Sequence, residues 1–147
     1  MRTHIVGILH SRNVDADWDR ILAPFNIEAS LIVGAWDAVE DVLRIPDIEG
    51  PEVSFGRVVE AMRQGDSEQV AKAFFDAREQ LGSPIVAAGR ESYRRVYDSI
   101  VHLHILQELG AIHADHIAKP DEISSVLTSR LNARLDSSSP SFRAREP

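Results

Sequence analysis

The sequence contains no cysteine and only two lysines among its 147 residues. Without cysteine, the chain can form no disulfide, no thiolate zinc site and no cysteine nucleophile of its own. Its apolar run Ile5–Leu9 is much shorter than the roughly 20 residues of a membrane span, and its polar flanks do not suit a signal peptide. The net charge of −7 argues against a dedicated nucleic-acid surface. We therefore expect neither a membrane nor a nucleic acid as a direct partner.

The motifs of several common enzyme classes are missing as well. The sequence has no Gly-x-Ser-x-Gly, no phosphate-binding glycine loop and no protein-kinase catalytic motif. Ser92 and Ser99 fall in a predicted helix and have no patterned base nearby in the sequence. We therefore predict no catalytic, cofactor-binding or metal-binding residue in this chain.

Helical periodicity is what the sequence does contain, along nearly its whole length. Asp66 with Gln69 predicts a capping box, and the residues that follow carry one apolar stripe at helical spacing: Val70, Ala73, Phe74, Ala77 and Leu81. The first half of the chain predicts a helix over Asp15–Leu22 that stops near Pro24, two short helices or one bent helix around Gly34, a loop over Asp47–Glu52 and a helix over Val53–Arg63 that ends at Gly65. The next predicted helix runs from Asp66 and stops at Gly82, and a new one starts at Ser83–Pro84. A long helix over Glu91–Leu109, a break at Pro120 and a last helix over Glu122–Leu135 complete the prediction.

This pattern predicts an all-α fold, a right-handed α-solenoid of helical hairpins of the tetratricopeptide or HEAT kind. Residues 1–135 form the helical-repeat segment in this interpretation, and residues 136–147 form a flexible linker because they contain the run DSSSPS. A few hairpins alone would leave both ends of the stack apolar. We therefore expect the chain to be a fragment of a larger solenoid, truncated before further helices.

The long predicted helix changes its apolar face along its length, from Tyr97 and Ile100 in the first half to Leu106 and Leu109 in the second. A helix that is apolar on two sides is buried by neighbours on both sides. We therefore expect Tyr97→Ala or Leu103→Ala to lower the free energy of unfolding by about 2–5 kcal/mol.

Histidines in the same helix suggest metal chemistry at first sight. His102 and His104 are two residues apart, and at about 100° per residue their rings lie roughly 160° apart, so one metal cannot hold both. We interpret them as packed or hydrogen-bonded side chains, with His104 on the face of Tyr97 and His102 near Asp98 on the other side.

A second histidine pair has better spacing for a metal. His113 and His116 fall on one helix face, but a zinc site needs a third protein ligand, which only His4 or His10 could supply through an unknown contact of the fold. We prefer a solvated helix end here. A His-dependent metalloenzyme is the least favoured of three functional hypotheses.

Charged and aromatic residues allow two further interpretations. The cluster Arg90, Arg94 and Arg95 could bind phosphate or nucleic acid, but Glu91 and Asp98 favour a solvated, charge-paired helix face. The large aromatic residues recur at hairpin positions, and we interpret each as core packing rather than as part of a ligand box. They are Trp18, Trp36, Phe55, Phe74, Phe75, Tyr93 and Tyr97.

Three sequence blocks, in order, are similar to one family. Ile27–Leu43, IEASLIVGAWDAVEDVL, resembles its Glu-Ala and Trp-Asp hairpin, and Glu91–Leu109, ESYRRVYDSIVHLHILQEL, resembles its Ser-Tyr-x-Arg-x-Tyr helix. Leu131–Pro147 resembles its block with ARL followed by S(Y/F)RA(K/R)EP. Across residues 10–147 the chain thus resembles the FAT domain of the phosphatidylinositol-3-kinase-related protein kinases, and within these the ATR type of DNA-damage and replication-stress checkpoint kinase.

The resemblance implies a non-catalytic scaffold that braces a kinase domain in the nucleus. It implies intramolecular contacts with that kinase domain and with neighbouring FAT and HEAT helices, and an ATRIP-like partner of the parent protein. ATP and Mg²⁺ belong to the kinase domain of the parent, so the resemblance implies no cofactor in this chain. Leu31 departs from the family pattern, which often has tryptophan there. A free-standing tetratricopeptide-like protein-interaction module is the alternative.

Overall fold

A computed structural model describes residues 17–88, 93–118, 120 and 123–137, and every regular element in these ranges is an α-helix. The all-α prediction is therefore confirmed. The helices are α1 (Asp17–Ile32), α2 (Trp36–Leu43), α3 (Pro51–Gln64), α4 (Ser67–Ala88), α5 (Tyr93–Ala118) and α6 (Ser125–Ser137).

Neighbours in the chain are also neighbours in space. Helices α1 and α2 pack on each other and on α3, α4 packs on α3 and most extensively on α5, and α6 packs on α5. This order is that of consecutive helical hairpins with short connections. The right-handed solenoid and the division of the chain at residue 135 stay predictions.

The first hairpin turns at a glycine. Gly34 has a φ of 66°, in the left-handed region that glycine adopts without strain, and the Ala35 amide donates to the Ser30 carbonyl at 2.9 Å. Two helices therefore meet at Gly34, and the bent-helix alternative is wrong.

Two predicted helix boundaries at prolines are wrong. Pro24, predicted to stop a helix, lies inside α1, and Pro84, predicted to begin a new helix after a stop at Gly82, lies inside α4. A proline removes the helix hydrogen bond to the carbonyl four residues earlier. Those carbonyls belong to Arg20 and Gln80, which are both exposed, so solvent can bond them and the helices continue.

The junction between α3 and α4 follows local capping rules. Pro51 is the first residue of α3, and Gly65 ends that helix with a φ of 75°. The Asp66 Oδ1 accepts from the amides of Glu68 at 3.0 Å and Gln69 at 3.5 Å, and its Oδ2 accepts from the Gln69 side-chain amide at 2.9 Å. The predicted cap is confirmed in a variant form, because Gln69 bonds the capping carboxylate and not the backbone.

Helix α5 runs nine residues beyond its predicted end at Leu109. It continues through Gly110, which packs beside the Phe74 ring: a Cβ there would lie 3.5 Å from the nearest ring carbon. The predicted break near Pro120 is confirmed, and the predicted last helix begins at Ser125 and ends at Ser137, two residues into the predicted linker. The rest of that linker lies outside the described residues.

Two hydrophobic clusters hold the described helices together. The first joins α3, α4 and α5 around Phe74 and Leu106. The second joins α1 and α2 to α3 around Ile27 and Val53, where α1 and α3 approach so closely that a Cβ on Gly56 would lie 2.9 Å from the Ile27 Cγ2. The buried hydrophobic residues are Ala23, Ile27, Ala29, Val39, Val42, Ile48, Val53, Val58, Ala61, Val70, Phe74, Ala77, Leu81, Leu106 and Leu127.

Candidate interaction surfaces

Helix α1 carries large apolar side chains on the side that faces away from α3. Trp18, Ile21, Phe25 and Ile32, which we call the outer stripe, fall within about 60° of one another on the helix at 100° per residue. Their exposed fractions are 45%, 57%, 47% and 65%. Since the opposite side of α1 is buried through Ile27, α1 is apolar on two sides, and such a helix is suited to a partner on each.

The exposed apolar surface continues around the turn into α2. Val33 is 62% exposed and Trp36 is 37% exposed. The Trp36 ring is fixed to α3 because the Arg63 guanidinium carbon lies 5.2 Å from its centroid, and Arg63 also pairs with Glu60 at 3.0 Å. This corner therefore extends the exposed apolar surface of the outer stripe.

The charges beside the outer stripe are mainly negative in the described residues. Asp19 and Glu28 are exposed on either side of it. Arg20 points away, because its Nη2 donates to the Asp47 carboxylate at 2.7 Å in the loop before α3. A partner with basic residues beside an apolar face would therefore be complementary to this side of α1.

A polar groove lies between α3 and α4, with a volume of about 660 Å³. Ser54, only 2% exposed, ties the two helices together across one end by donating its hydroxyl to the Gln80 Oε1 at 2.6 Å. Arg57 and Glu60 line the groove from α3, and Lys72 and Asp76 line it from α4. Side chains of both signs can bind an extended polar segment.

Helix α6 is attached to α5 mainly through polar contacts. The Ser124 amide donates to the Asp115 Oδ2 at 2.9 Å, and Arg134 pairs with Glu108 at 2.5 Å. Leu127 is buried, whereas the adjacent Val126 on α6 is 77% exposed. Like α1, helix α6 offers apolar surface beyond what it buries on its neighbour.

The first histidine pair is splayed as predicted, and His102 is packed as predicted, whereas His104 is not. His102 packs edge-on against Phe55, with ring centroids 5.7 Å apart, and His104 is exposed. His104 does share the side of Tyr97, which is 50% exposed and is not the core side of α5. The core side is that of Leu106, one helical turn from His102, because α3 and α4 pack there.

The second histidine pair is divided between the core and solvent. His113 lies 6.5 Å from the Phe74 ring, centroid to centroid, and His116 is exposed, as a solvated helix end requires. His4 and His10 lie outside the described residues. In the part of the chain that the structure describes, no three histidine or carboxylate side chains are placed to hold a metal ion.

Seven aromatic residues were predicted to pack in the core, and four of them do not. Phe74 is buried and Phe55 packs against the same cluster, but the other described aromatics are exposed by 37% or more. Helical spacing alone cannot separate an inner from an outer face, which is why the prediction failed at Trp18, Trp36, Phe75 and Tyr97. The side chains of Tyr93 and of the arginines at 90, 94 and 95 lie outside the described residues. None of the described helices is both long and apolar enough to cross a membrane.

Comparison with known proteins agrees with the motif blocks. The sequence matches the FAT domain family over residues 23–147. It is 28% identical to the serine/threonine-protein kinase ATR of Arabidopsis thaliana over 167 aligned residues, which cover all of this chain and 6% of the relative. It is 29% identical to the kinase of the same name in Oryza sativa subsp. indica over 140 residues, which cover 82% of this chain and 5% of the relative.

The chain thus spans only about one-twentieth of the length of these curated relatives. No solved structure matches it significantly. The family match covers most of the chain and includes nearly all of the described helices, from Ala23 in α1 to the end of α6. The chain therefore belongs to the FAT domain family, and its curated relatives are ATR-type serine/threonine protein kinases.

Proposed function

We propose that this chain is a non-catalytic scaffold segment of an ATR-like serine/threonine protein kinase, acting in DNA-damage and replication-stress checkpoint signalling in the nucleus. The observation that carries this proposal is the FAT match over residues 23–147, together with relatives that are all named ATR kinases. The described helices support a bracing role because they form a row of hairpins in which each helix packs on the next, so the two ends are joined by continuous packing.

The exposed apolar surfaces at the two ends of this row suit a segment that continues in both directions. Helix α1 presents the outer stripe at one end, and α6 presents Val126 at the other. Contacts with neighbouring FAT and HEAT helices and with a kinase domain would bury such surfaces. ATP, Mg²⁺ and an ATRIP-like partner belong to other parts of the parent protein in this proposal.

The first test is the transcript that encodes the chain. We expect its reading frame to continue beyond the codon for Pro147 into further FAT helices and a kinase domain with its metal-binding aspartate motif. A frame that continues into neither would overturn the proposal.

The second test uses the full-length protein and two exposed valines. Val126 lies on α6 at the end of the row, and Val86 lies near the end of α4 with 86% exposure. We expect Val126→Asp to lower phosphorylation of a Ser-Gln peptide several-fold and Val86→Asp to leave it unchanged. Equal kinase activity of the two variants would contradict the proposed scaffold contact at α6.

The polar groove between α3 and α4 favours one other function, a free-standing tetratricopeptide-like interaction module. Its mixed charges from Arg57, Glu60, Lys72 and Asp76 would bind a short peptide. That function requires the 147-residue chain alone to be a monomer that unfolds cooperatively. Aggregation of the isolated chain, measured by light scattering, would count against it.

A further inference from the structure

We propose that two copies of this chain associate through the exposed side of α4, with the two helices antiparallel and Phe75 at the centre of the contact. Phe75 is 66% exposed, although it follows the buried Phe74 directly in the sequence. This inference does not depend on the scaffold role, because both halves of the contact come from described residues of α4.

Two charged residues of opposite sign flank Phe75 on the exposed side of α4. At 100° per residue, Lys72 and Glu79 fall within about 20° of each other and within about 60° of Phe75. The core side of the helix, with Val70 and Ala77, lies roughly opposite. Both charged side chains are exposed, and neither forms an ion pair with any residue that the structure describes.

The spacing of these charges makes the patch complementary to itself. Lys72 and Glu79 lie equally far before and after the point midway between Phe75 and Asp76, about 5 Å along the helix in each direction. When a second α4 packs antiparallel with its two-fold axis at this point, Lys72 of each copy lies opposite Glu79 of the other. The two Phe75 side chains lie within about 1 Å of that axis along the helix, so they meet between the two ion pairs.

The charges favour this arrangement over other occupants of the same face. A parallel pair of helices would place Lys72 opposite Lys72 and Glu79 opposite Glu79, which is repulsive. A different protein would need a glutamate and a lysine seven residues apart in the reverse order, and a second copy of α4 supplies them. Asp76 does not disturb the pairing, because it lies about 100° from Phe75 and lines the groove with α3.

The contact is short, so we expect a weak and reversible dimer. Val86 lies about 16 Å from the two-fold axis along α4, whereas the first residue of α4 in the other copy, Ser67, reaches only about 13 Å on that side. Val86 therefore lies beyond the contact. A single pair of helices buries less than the roughly 1,200 Å² of a stable interface, which predicts a dissociation constant in the micromolar range or above.

Charge exchange in the full chain tests the antiparallel register. In Lys72→Glu each copy has two glutamates on the patch, and in Glu79→Lys each copy has two lysines, so both ion pairs become repulsive. We expect each variant to weaken self-association about ten-fold in sedimentation velocity over a concentration series. An equimolar mixture of the two variants should associate again, because each copy then meets the opposite charge in the other. Glu28→Lys makes the same charge change on α1 and should leave self-association unchanged.

The outcomes separate this interface from others. A parent chain that stays monomeric at every concentration would overturn the proposal. Single variants that associate like the parent chain would place the interface on another face, such as the outer stripe of α1, and would overturn it as well. A mixture that associates no better than its components would exclude the antiparallel register. Circular dichroism checks that each variant keeps the helical content of the parent.

Single thiols give an independent readout of the two-fold axis. The chain has no cysteine, so every disulfide in a single-cysteine variant joins two molecules. Phe75→Cys places the thiols of the two copies next to the axis, within the roughly 7 Å that a disulfide allows between Cα atoms. Val86→Cys, on the same helix and at an equally exposed position, places them about 30 Å apart. We expect Phe75→Cys to form the disulfide dimer at least about ten-fold faster under mild oxidation, and equal rates for the two variants would contradict the proposal.

Discussion

Two apolar stripes of similar length and spacing have opposite surroundings in this molecule. The stripe on α4 is buried against α3 and α5, and the outer stripe on α1 is exposed. Both follow the helical period and both contain a phenylalanine near the centre. The buried members of the α4 stripe are Val70, Phe74, Ala77 and Leu81, and the members of the outer stripe are Trp18, Ile21, Phe25 and Ile32.

The two stripes differ in their small residues. Ala73 and Ala77 alternate with larger side chains on α4, and they let the neighbouring helices approach closely. The buried side of α1 likewise contains Ala23 and Ser30, whereas the four exposed members of the outer stripe are all large. Ala29 falls on the same face of α1, four residues after Phe25, and is buried, so small side chains in both helices lie where another element packs closely.

The two phenylalanines give the largest test of this comparison. We expect Phe74→Ala to lower the free energy of unfolding by about 3–5 kcal/mol, because Phe74 is 7% exposed and its removal leaves a cavity. Phe25→Ala should cost only about 1 kcal/mol, because half of its surface is already in water. Urea unfolding followed by circular dichroism measures both. An equal cost at Phe25 and Phe74 would mean that the two stripes are buried alike, and the comparison would fail.

The residue that covers the α4 stripe should be nearly as sensitive. Leu106 on α5 is 1% exposed and packs against that stripe, so Leu106→Ala should cost about 2–5 kcal/mol. Tyr97 is 50% exposed, and we now expect a smaller loss for Tyr97→Ala than its helical position suggested. Ile117→Ala, at 62% exposure, is the matched control on the same helix. A larger loss of stability for Tyr97→Ala than for Leu106→Ala would show that the core lies on the Tyr97 side of α5.

The sequence predicted best the features that nearby residues determine. Gly65 and Asp66 end one helix and begin the next through contacts within three residues, and their roles are confirmed. Pro24 and Pro84 misled the prediction, because their effect depends on whether solvent reaches a carbonyl four residues away. That exposure is set by tertiary packing, which local sequence does not contain.

The candidate surfaces were less predictable than the family. Three sequence blocks were enough to identify the FAT domain, because they preserve residue types and order. The exposure of Trp18 and Trp36 could not be predicted, because aromatic residues at helical spacing have the same pattern on either face of a helix. Small residues would not have indicated it either, because Ala29 falls on the same face of α1 as the outer stripe.

Two glycines test how tightly the inner side of α1 is packed. A Cβ on Gly56 would lie 2.9 Å from the Ile27 Cγ2, so Gly56→Ala should lower the free energy of unfolding by about 1–3 kcal/mol through overpacking. Gly82 lies inside α4 with no atom within 4 Å of its Cβ position, so Gly82→Ala should raise stability by about 0.4–1 kcal/mol. Thermal unfolding of both variants gives the two signs. A stabilised Gly56→Ala would show that α1 and α3 are further apart.

The smallest expected effect concerns the Asp66 cap at the start of α4. The Asp66 carboxylate accepts from the amides of Glu68 and Gln69, and these bonds fix the first turn of α4 before Val70 enters the core. Asp66→Ala should therefore cost about 1 kcal/mol. Asp66→Asn should keep most of that stability, since asparagine caps nearly as well. If Asn loses as much as Ala in urea unfolding, the negative charge of Asp66 at the helix start, and not its hydrogen bonds, stabilises α4.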